Sequence, residues 1–242
     1  MILGLIPSRL KSTRLIKKPL LEIDGLPLII HTLKRAQLCK SLDKVIVCTD
    51  SKKIEDVVNF HGGEAILTKK THKNGTERIS EVAKKFNCEL VIDIQGDEPL
   101  VDPKNIDDIV RFHRKNKKFD LIIPSSNLKD PHSKNIVKIV ADKKNKILYM
   151  SRAAIPFEFK KKINFRKHLS IISFKPSALK KYSSLKRSFL EKIEDIELLR
   201  ALENEMVLGT TFVKSSSISV DIKADYLTAI ELMKKDKIRK KY

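Results

Sequence analysis

Three cations, Arg9, Arg14 and Lys18, lie within the polar loop of IPSRLKSTRLIKKPL (Ile6 to Leu20), directly behind an apolar run at the start of the chain. In an α/β sheet the loop after a strand is where phosphates bind, and these groups could neutralise a triphosphate through charge-assisted hydrogen bonds. A basic surface loop is the other reading. The loop holds no glycine, which excludes a dinucleotide fingerprint and a Walker loop. A second segment, Gln95-Gly96-Asp97-Glu98-Pro99-Leu100, follows the apolar stretch Val91-Ile92-Asp93-Ile94. A carboxylate at a strand's end, beside a glycine that permits a tight turn, is well placed to hold a Mg²⁺ that bridges nucleotide phosphates. The alternative is a turn whose acids are merely solvated.

The elements that must position these groups follow from periodicity. Ile2 to Ile6, Lys44 to Thr49, Glu64 to Thr68 and Leu90 to Gln95 read as strands, while Pro27 to Lys40, Lys52 to Phe60 and Thr76 to Phe86 carry apolar residues at helical spacing. Ser51 and Thr76 are the expected N-caps. Such alternation predicts βαβ units, hence a mixed, mostly parallel sheet flanked by helices, with the site outside the carboxyl ends of the strands. A helix-like stretch from Pro103 to about Lys115 ends this pattern. Asp120 to Ser126, Ile136 to Ala141, Ile147 to Ser151 and Leu169 to Phe174 then read as β segments with short connectors, a small antiparallel lobe over about 120–174. Helices are expected at Pro176 to Tyr182, Leu190 to Met206 and Ala224 to Lys235, with a strand region from Thr210 to Val220.

At 242 residues the chain suits one α/β domain with an embedded lobe, spanning 1–242, rather than two independent domains. No apolar run approaches the roughly 18 residues of a membrane-spanning helix. MILGLIPSRL lacks a preceding basic segment and a cleavage site, so it reads as a first strand, and a cytoplasmic protein is expected. Cys39, Cys48 and Cys88 form no CxxC pair and are expected to be reduced packing residues. The net charge of +20 raises the question of nucleic acid, but the lysines are spread over many short runs, there is no Trp, and aromatics make up 6%. A solvated lysine surface is the reading, with a polyanion-binding surface as its alternative; neither nucleic acid nor membrane is expected as a partner.

Taken in order, IPSRLKSTRLIKKPL, HKNGTER (His72 to Arg78), QGDEPL and SRAAIP (Ser151 to Pro156) resemble the bacterial 3-deoxy-manno-octulosonate (Kdo) cytidylyltransferases, the CMP-Kdo synthetases. The resemblance continues through His168-Leu169-Ser170-Ile171, Glu191 to Arg200 and Val220-Asp221, and so covers nearly the whole chain. It implies a nucleotide-diphospho-sugar transferase-like fold whose antiparallel lobe pairs with that of a second subunit in a homodimer. The implied reaction is Mg²⁺-dependent: the anomeric hydroxyl of a 2-keto-3-deoxy sugar acid attacks the α-phosphate of CTP, giving a CMP-sugar for lipopolysaccharide or surface-polysaccharide synthesis, and pyrophosphate. Such a reaction needs charge neutralisation and in-line positioning more than a covalent intermediate.

The resemblance also implies roles. Arg9, Arg14 and Lys18 would grip the phosphates, Ser12 would shape the loop, and Asn74, Gly75, Thr76 and Arg78 would lie on the cytidine side. Gln95 would stand between nucleotide and sugar, and Asp97 and Asp221 would hold Mg²⁺. Arg152, His168, Glu194 and Glu197 would meet the sugar acid. Read without the resemblance, these four fit a surface ion pair, a satisfied strand residue and the wet face of a helix.

Departures from the family pattern fall at Ile16 and Lys17, where Pro and Gly are usual, and at Ser170, Ile172 and Leu198 on the implied sugar side. An amide replaced by Leu198 removes hydrogen bonds to a substrate hydroxyl, and such losses discriminate between analogues. A modified octulosonate or another keto-acid sugar, such as a nonulosonic acid, is therefore an alternative acceptor. A non-catalytic nucleotide-binding paralogue is the alternative of a different class; it would need neither Asp97 nor Asp221.

Overall fold

A computed structural model describes residues 1–11, 14–214 and 217–242. In chain order its elements are β1 (Ile2–Ser8), β2 (Glu22–Ile23), β3 (Leu26–Pro27), α1 (Leu28–Gln37), β4 (Lys44–Thr49), α2 (Lys52–Phe60), β5 (Ala65–Leu67), α3 (Gly75–Ala83), β6 (Leu90–Ile94) and α4 (Pro103–Lys115). They continue with β7 (Leu121–Leu128), β8 (Lys138–Ala141), β9 (Ile147–Ser151), β10 (Phe165–His168), β11 (Ile171–Phe174), α5 (Pro176–Ser184), α6 (Phe189–Glu194), α7 (Leu199–Glu203), β12 (Leu208–Phe212) and α8 (Lys223–Lys234). The chain divides into two compact units, one of Met1–Asp107 with Ser217–Tyr242 and one of Asp108–Ser216.

In the first unit β5, β4, β1 and β6 lie side by side in that order, every pair parallel, and β2 with β3 makes a small antiparallel hairpin. All seven residues of β1 are buried, as an unbroken apolar run in a parallel sheet requires. Ile54 and Val58, one helical turn apart on α2, are both buried, and their neighbours carry the charges. Each fully buried Leu, Ile or Val contributes about 1.5–3 kcal/mol relative to exposure. Ala229 and Met233 of α8 pack with Ile23, Leu28 and Val220, which anchors the second half of α8 beside the β2–β3 hairpin.

In the second unit β7 is flanked by β12, which runs parallel to it, and by β10 and β11, which run antiparallel; β8 joins β10 to β9 in antiparallel order. Its core includes Phe119, Ile122, Phe174, Leu179, Tyr182 and Leu199. The fold is thus mixed α/β, as expected.

Four sequence expectations need correction. The strand expected from Leu169 begins at Ile171 as β11, and a further strand, β10, ends just before it at His168, with Leu169 N–H bonded to Pro124 O between them. Leu190 to Met206 is not one helix, because Asp195 adopts φ 51° and separates α6 from α7. Thr76 is not the cap of α3; Asn74 is, its side chain accepting from Glu77 N–H at 2.8 Å while the Glu77 carboxylate accepts from Lys73 N–H at 2.9 Å. The strand region from Thr210 ends at Phe212 as β12. Cys39 and Cys48 are buried free thiols, held well above the ordinary thiol range by burial.

Candidate active site

The carboxyl ends of the adjacent strands β1 and β6 bring the two sequence segments together. Gly96 lies so close to β1 that a Cβ there would stand 2.7 Å from Pro7 O, so only glycine permits this approach. A Cβ on Gly75 would likewise press on Pro7, at 3.0 Å from Cγ, which sets the first turn of α3 against the same strand end.

Lys18 opens a single 3₁₀ turn whose Pro19 is buried, and its side chain is only 15% exposed. Its ammonium donates to Asp97 Oδ2 at 2.7 Å and to Asp221 Oδ1 at 3.3 Å. Arg14 Nη2 donates to the same Asp221 oxygen at 3.0 Å. Asp97 and Asp221 are thereby neighbours, though far apart in sequence. Arg9 is exposed at the end of β1, and Ser12 lies outside the described residues.

The residues around this cluster hold it in register. Val220 N–H donates to Asp97 O at 2.9 Å, and Asp225 Oδ2 accepts from the N–H groups of Asp221 and Ile222, both at 3.0 Å. The acids of the QGDEPL turn are not merely solvated. Glu98 is 3% exposed, and its carboxylate accepts from the hydroxyls of Ser217 and Ser219, the latter at 2.9 Å. Neither Glu98 nor Asp225 was singled out from sequence. An acid four residues after Asp221, at the third position of α8, was the available signal for Asp225; Glu98 carried none beyond its place beside Asp97.

Arg78 is buried and donates to Thr68 Oγ1 and to Asp50 Oδ2, the latter at 2.9 Å, so its guanidinium ties α3 to the ends of β4 and β5. Thr76 is buried, and Gln95 Nε2 donates to Asp93 Oδ1 at 2.9 Å. Among the described residues, no group of three or more His, Cys, Asp and Glu side chains forms a metal-binding set. A pair of carboxylates that already share a cation is nevertheless a fitting donor set for Mg²⁺, which commonly takes one or two carboxylates plus substrate phosphates.

Within the second unit, Glu194 accepts from Ser151 Oγ at 2.6 Å and from Arg152 N–H at 2.9 Å. The Arg152 guanidinium donates to the carbonyls of Glu194, Lys134 and Asp195 at 2.8, 3.1 and 3.0 Å. Lys138, fully buried, donates to Ser133 O, Ile136 O and Arg152 O, closing the same corner from beneath. His168 is partly buried on β10, and burial pushes its imidazole down to about 4. Glu197 is exposed, and its carbonyl accepts from Tyr182 OH. Ile172 and Leu198 are buried at 7% and 5% exposure, so these departures sit in the packing of the second unit.

The fold is shared with a 4-diphosphocytidyl-2C-methyl-D-erythritol synthase from Anaerococcus prevotii, at a TM-score of 0.65 with 15% identity, over 96% of this chain and 98% of that one. A solved CMP:2-keto-3-deoxy-manno-octonic acid synthetase complexed with CTP is similar at a TM-score of 0.94 with 31% identity, over 97% and 98% of the two chains. Residues 3–214 match the cytidylyltransferase family. The 3-deoxy-manno-octulosonate cytidylyltransferase of Leptospira biflexa serovar Patoc is 38% identical over 238 residues, 97% of each chain. That of Fusobacterium nucleatum subsp. nucleatum is 37% identical over 246 residues, 98% of each. The chain belongs to the 3-deoxy-manno-octulosonate cytidylyltransferase family and is a cytidylyltransferase enzyme.

Proposed function

We propose that the enzyme transfers CMP from CTP to the anomeric hydroxyl of 3-deoxy-manno-octulosonate, releasing pyrophosphate and supplying a CMP-sugar for lipopolysaccharide or related surface-polysaccharide synthesis. The observation that carries this reading is the convergence of Arg14, Lys18, Asp97 and Asp221 at one strand-end cluster, in a chain with full-length relatives named for that reaction. The hydroxyl oxygen forms a bond to the α-phosphorus as the bond to the pyrophosphate oxygen breaks. Arg9, Arg14 and Lys18 hold the phosphates in line and stabilise charge as it develops on the leaving pyrophosphate. Asp97 and Asp221 would hold Mg²⁺, which would neutralise phosphate charge and make the sugar hydroxyl more acidic.

Ser12 shapes the phosphate loop, and Asn74, Gly75, Thr76 and Arg78 lie on the cytidine side, with Gln95 between nucleotide and sugar. On the sugar side, the depressed His168 is neutral near pH 7, which suits it to a substrate hydroxyl rather than to the acid's carboxylate. Glu194 and Glu197 accept from hydroxyls, and Arg152 anchors the loop that carries them.

A homodimer in the cytoplasm is part of the same proposal. No helix among the described residues is long and apolar enough to cross a membrane. Phe157 and Phe159 are 83% and 82% exposed in the second unit, apolar surface that pairing with another copy would remove from water. A sedimenting species of monomer mass at micromolar concentration would overturn the dimer.

Pyrophosphate release measured with CTP, Mg²⁺ and a panel of sugar acids tests the acceptor. The highest kcat/KM is expected with 3-deoxy-manno-octulosonate, and a higher value with a nonulosonic acid would reassign it.

A further inference from the structure

We propose that the Lys18 ammonium is a built-in counter-ion of the Asp97–Asp221 pair, occupying the divalent cation's place until a bound triphosphate draws it away. This rests on the reading that Asp97 and Asp221 hold the metal. Nζ lies within hydrogen-bond reach of one oxygen from each carboxylate, and the Lys18 side chain is 15% exposed against 27% for Asp97 and 41% for Asp221. Two cations cannot both occupy the gap between the same two oxygens, because at contact distance they would repel each other.

The backbone beneath Lys18 is fixed. Pro19 is buried, and Lys18 N–H and Leu21 N–H both close local turns, to Leu15 O and to Lys18 O. The ammonium therefore leaves by rotation of its flexible four-carbon stem, and a triphosphate offers it oxygens of higher charge than a carboxylate. Until then Lys18 offsets the repulsion between two juxtaposed carboxylates and keeps them in the geometry that a metal needs. Arg14, with a side chain 63% exposed, contacts only the Asp221 side of the pair and does not take over this role.

The consequence is coupling. Divalent metal alone must expel the ammonium and binds weakly; metal arriving with nucleotide finds the ammonium already engaged, so the two ligands strengthen each other's binding.

Mn²⁺ serves as the probe, its free concentration followed by electron paramagnetic resonance without nucleotide. Lys18→Met is expected to bind Mn²⁺ at least tenfold more tightly than the parent, and adding Asp221→Asn to it is expected to abolish that gain. Lys18→Gln is measured alongside it, with the melting temperature of each variant as the folding control, and takes its place if Lys18→Met does not fold. Unchanged or weaker Mn²⁺ binding in the Lys18 variants overturns the counter-ion role. If Asp97→Asn and Asp221→Asn still weaken Mn²⁺ binding in that case, the metal reading stands without it. Indifference of Mn²⁺ binding to both carboxylates removes the metal reading and this proposal together.

Discussion

Asp97 and Asp221 share one ammonium: Lys18 Nζ lies 2.7 Å from Oδ2 of the first and 3.3 Å from Oδ1 of the second. The arrangement depends on a parallel strand pair, a glycine pressed against β1 and a helix start cinched by Asp225.

Glu98 is the strut between the two aspartates, since it holds Ser217 and Ser219 just ahead of Asp221. Glu98→Ala should lower the unfolding free energy by about 1–3 kcal/mol, because the hydroxyls at a buried site lose their acceptor. It should also raise the Mg²⁺ concentration for half-maximal rate several-fold while the KM for CTP changes little. Urea unfolding and a Mg²⁺ titration of the rate check the two parts; an unaltered Mg²⁺ dependence would mean that Glu98 serves stability alone.

Lys17 precedes Lys18 with φ 54° and ψ 33°, a left-handed conformation that a Cβ disfavours. Relief of that strain by glycine is worth about 1–2 kcal/mol, and the added chain entropy of the unfolded state takes back about 0.5–1. Lys17→Gly should therefore raise stability by a few tenths to about 1 kcal/mol, and Lys17→Val should lower it. Urea midpoints for the pair of variants decide this, and a glycine variant less stable than the parent would show that the Lys17 side chain outweighs its backbone strain.

Elements bounded by clear chemistry were legible from residue types. The runs that became β4, α2 and β9 match their expected limits, because short apolar runs and the helical spacing of Ile54 and Val58 end at polar residues. The break at Asp195 was not legible, because Ile193, Ile196 and Leu199 keep helical spacing through it; the structure leaves Ile193 64% exposed while Ile196 and Leu199 are buried. Thr76 and Asn74 both suit a cap of α3 by type, and the bond that Asn74 Oδ1 accepts from Glu77 N–H decides for Asn74. The phosphate-loop cations and Asp97 stood out by type and position. Asp221 did not, since nothing local marks a residue whose partner lies across the fold; only resemblance to the family pointed to it.

His168 ties stability to pH. Its imidazole titrates at about 4 in the folded chain against 6.5 ordinarily, because burial disfavours the charged form. The unfolded chain therefore binds more protons between those values, so this residue's contribution is complete above 6.5 and is lost as pH falls toward 4. The slope it adds is about 1 kcal/mol per pH unit within that window. His31, also depressed by burial, acts in the same direction, so the diagnostic is the difference between parent and His168→Gln. That difference should shrink as the pH is lowered from 7 to 4.5; a constant difference would show that His168 does not titrate with folding.

The most direct measurement is turnover of CTP with 3-deoxy-manno-octulosonate in Asp97→Asn, Asp221→Asn and the double variant, with melting temperature as the control. An amide is a poor ligand for a hard cation, so each single variant should lose at least a hundredfold in kcat/KM while melting within a few degrees of the parent. The double variant should lose little beyond the worse single, since both carboxylates act on one ion. Near-parental, Mg²⁺-dependent turnover in either folded single variant would contradict the account, because that carboxylate would then take no part in holding the metal.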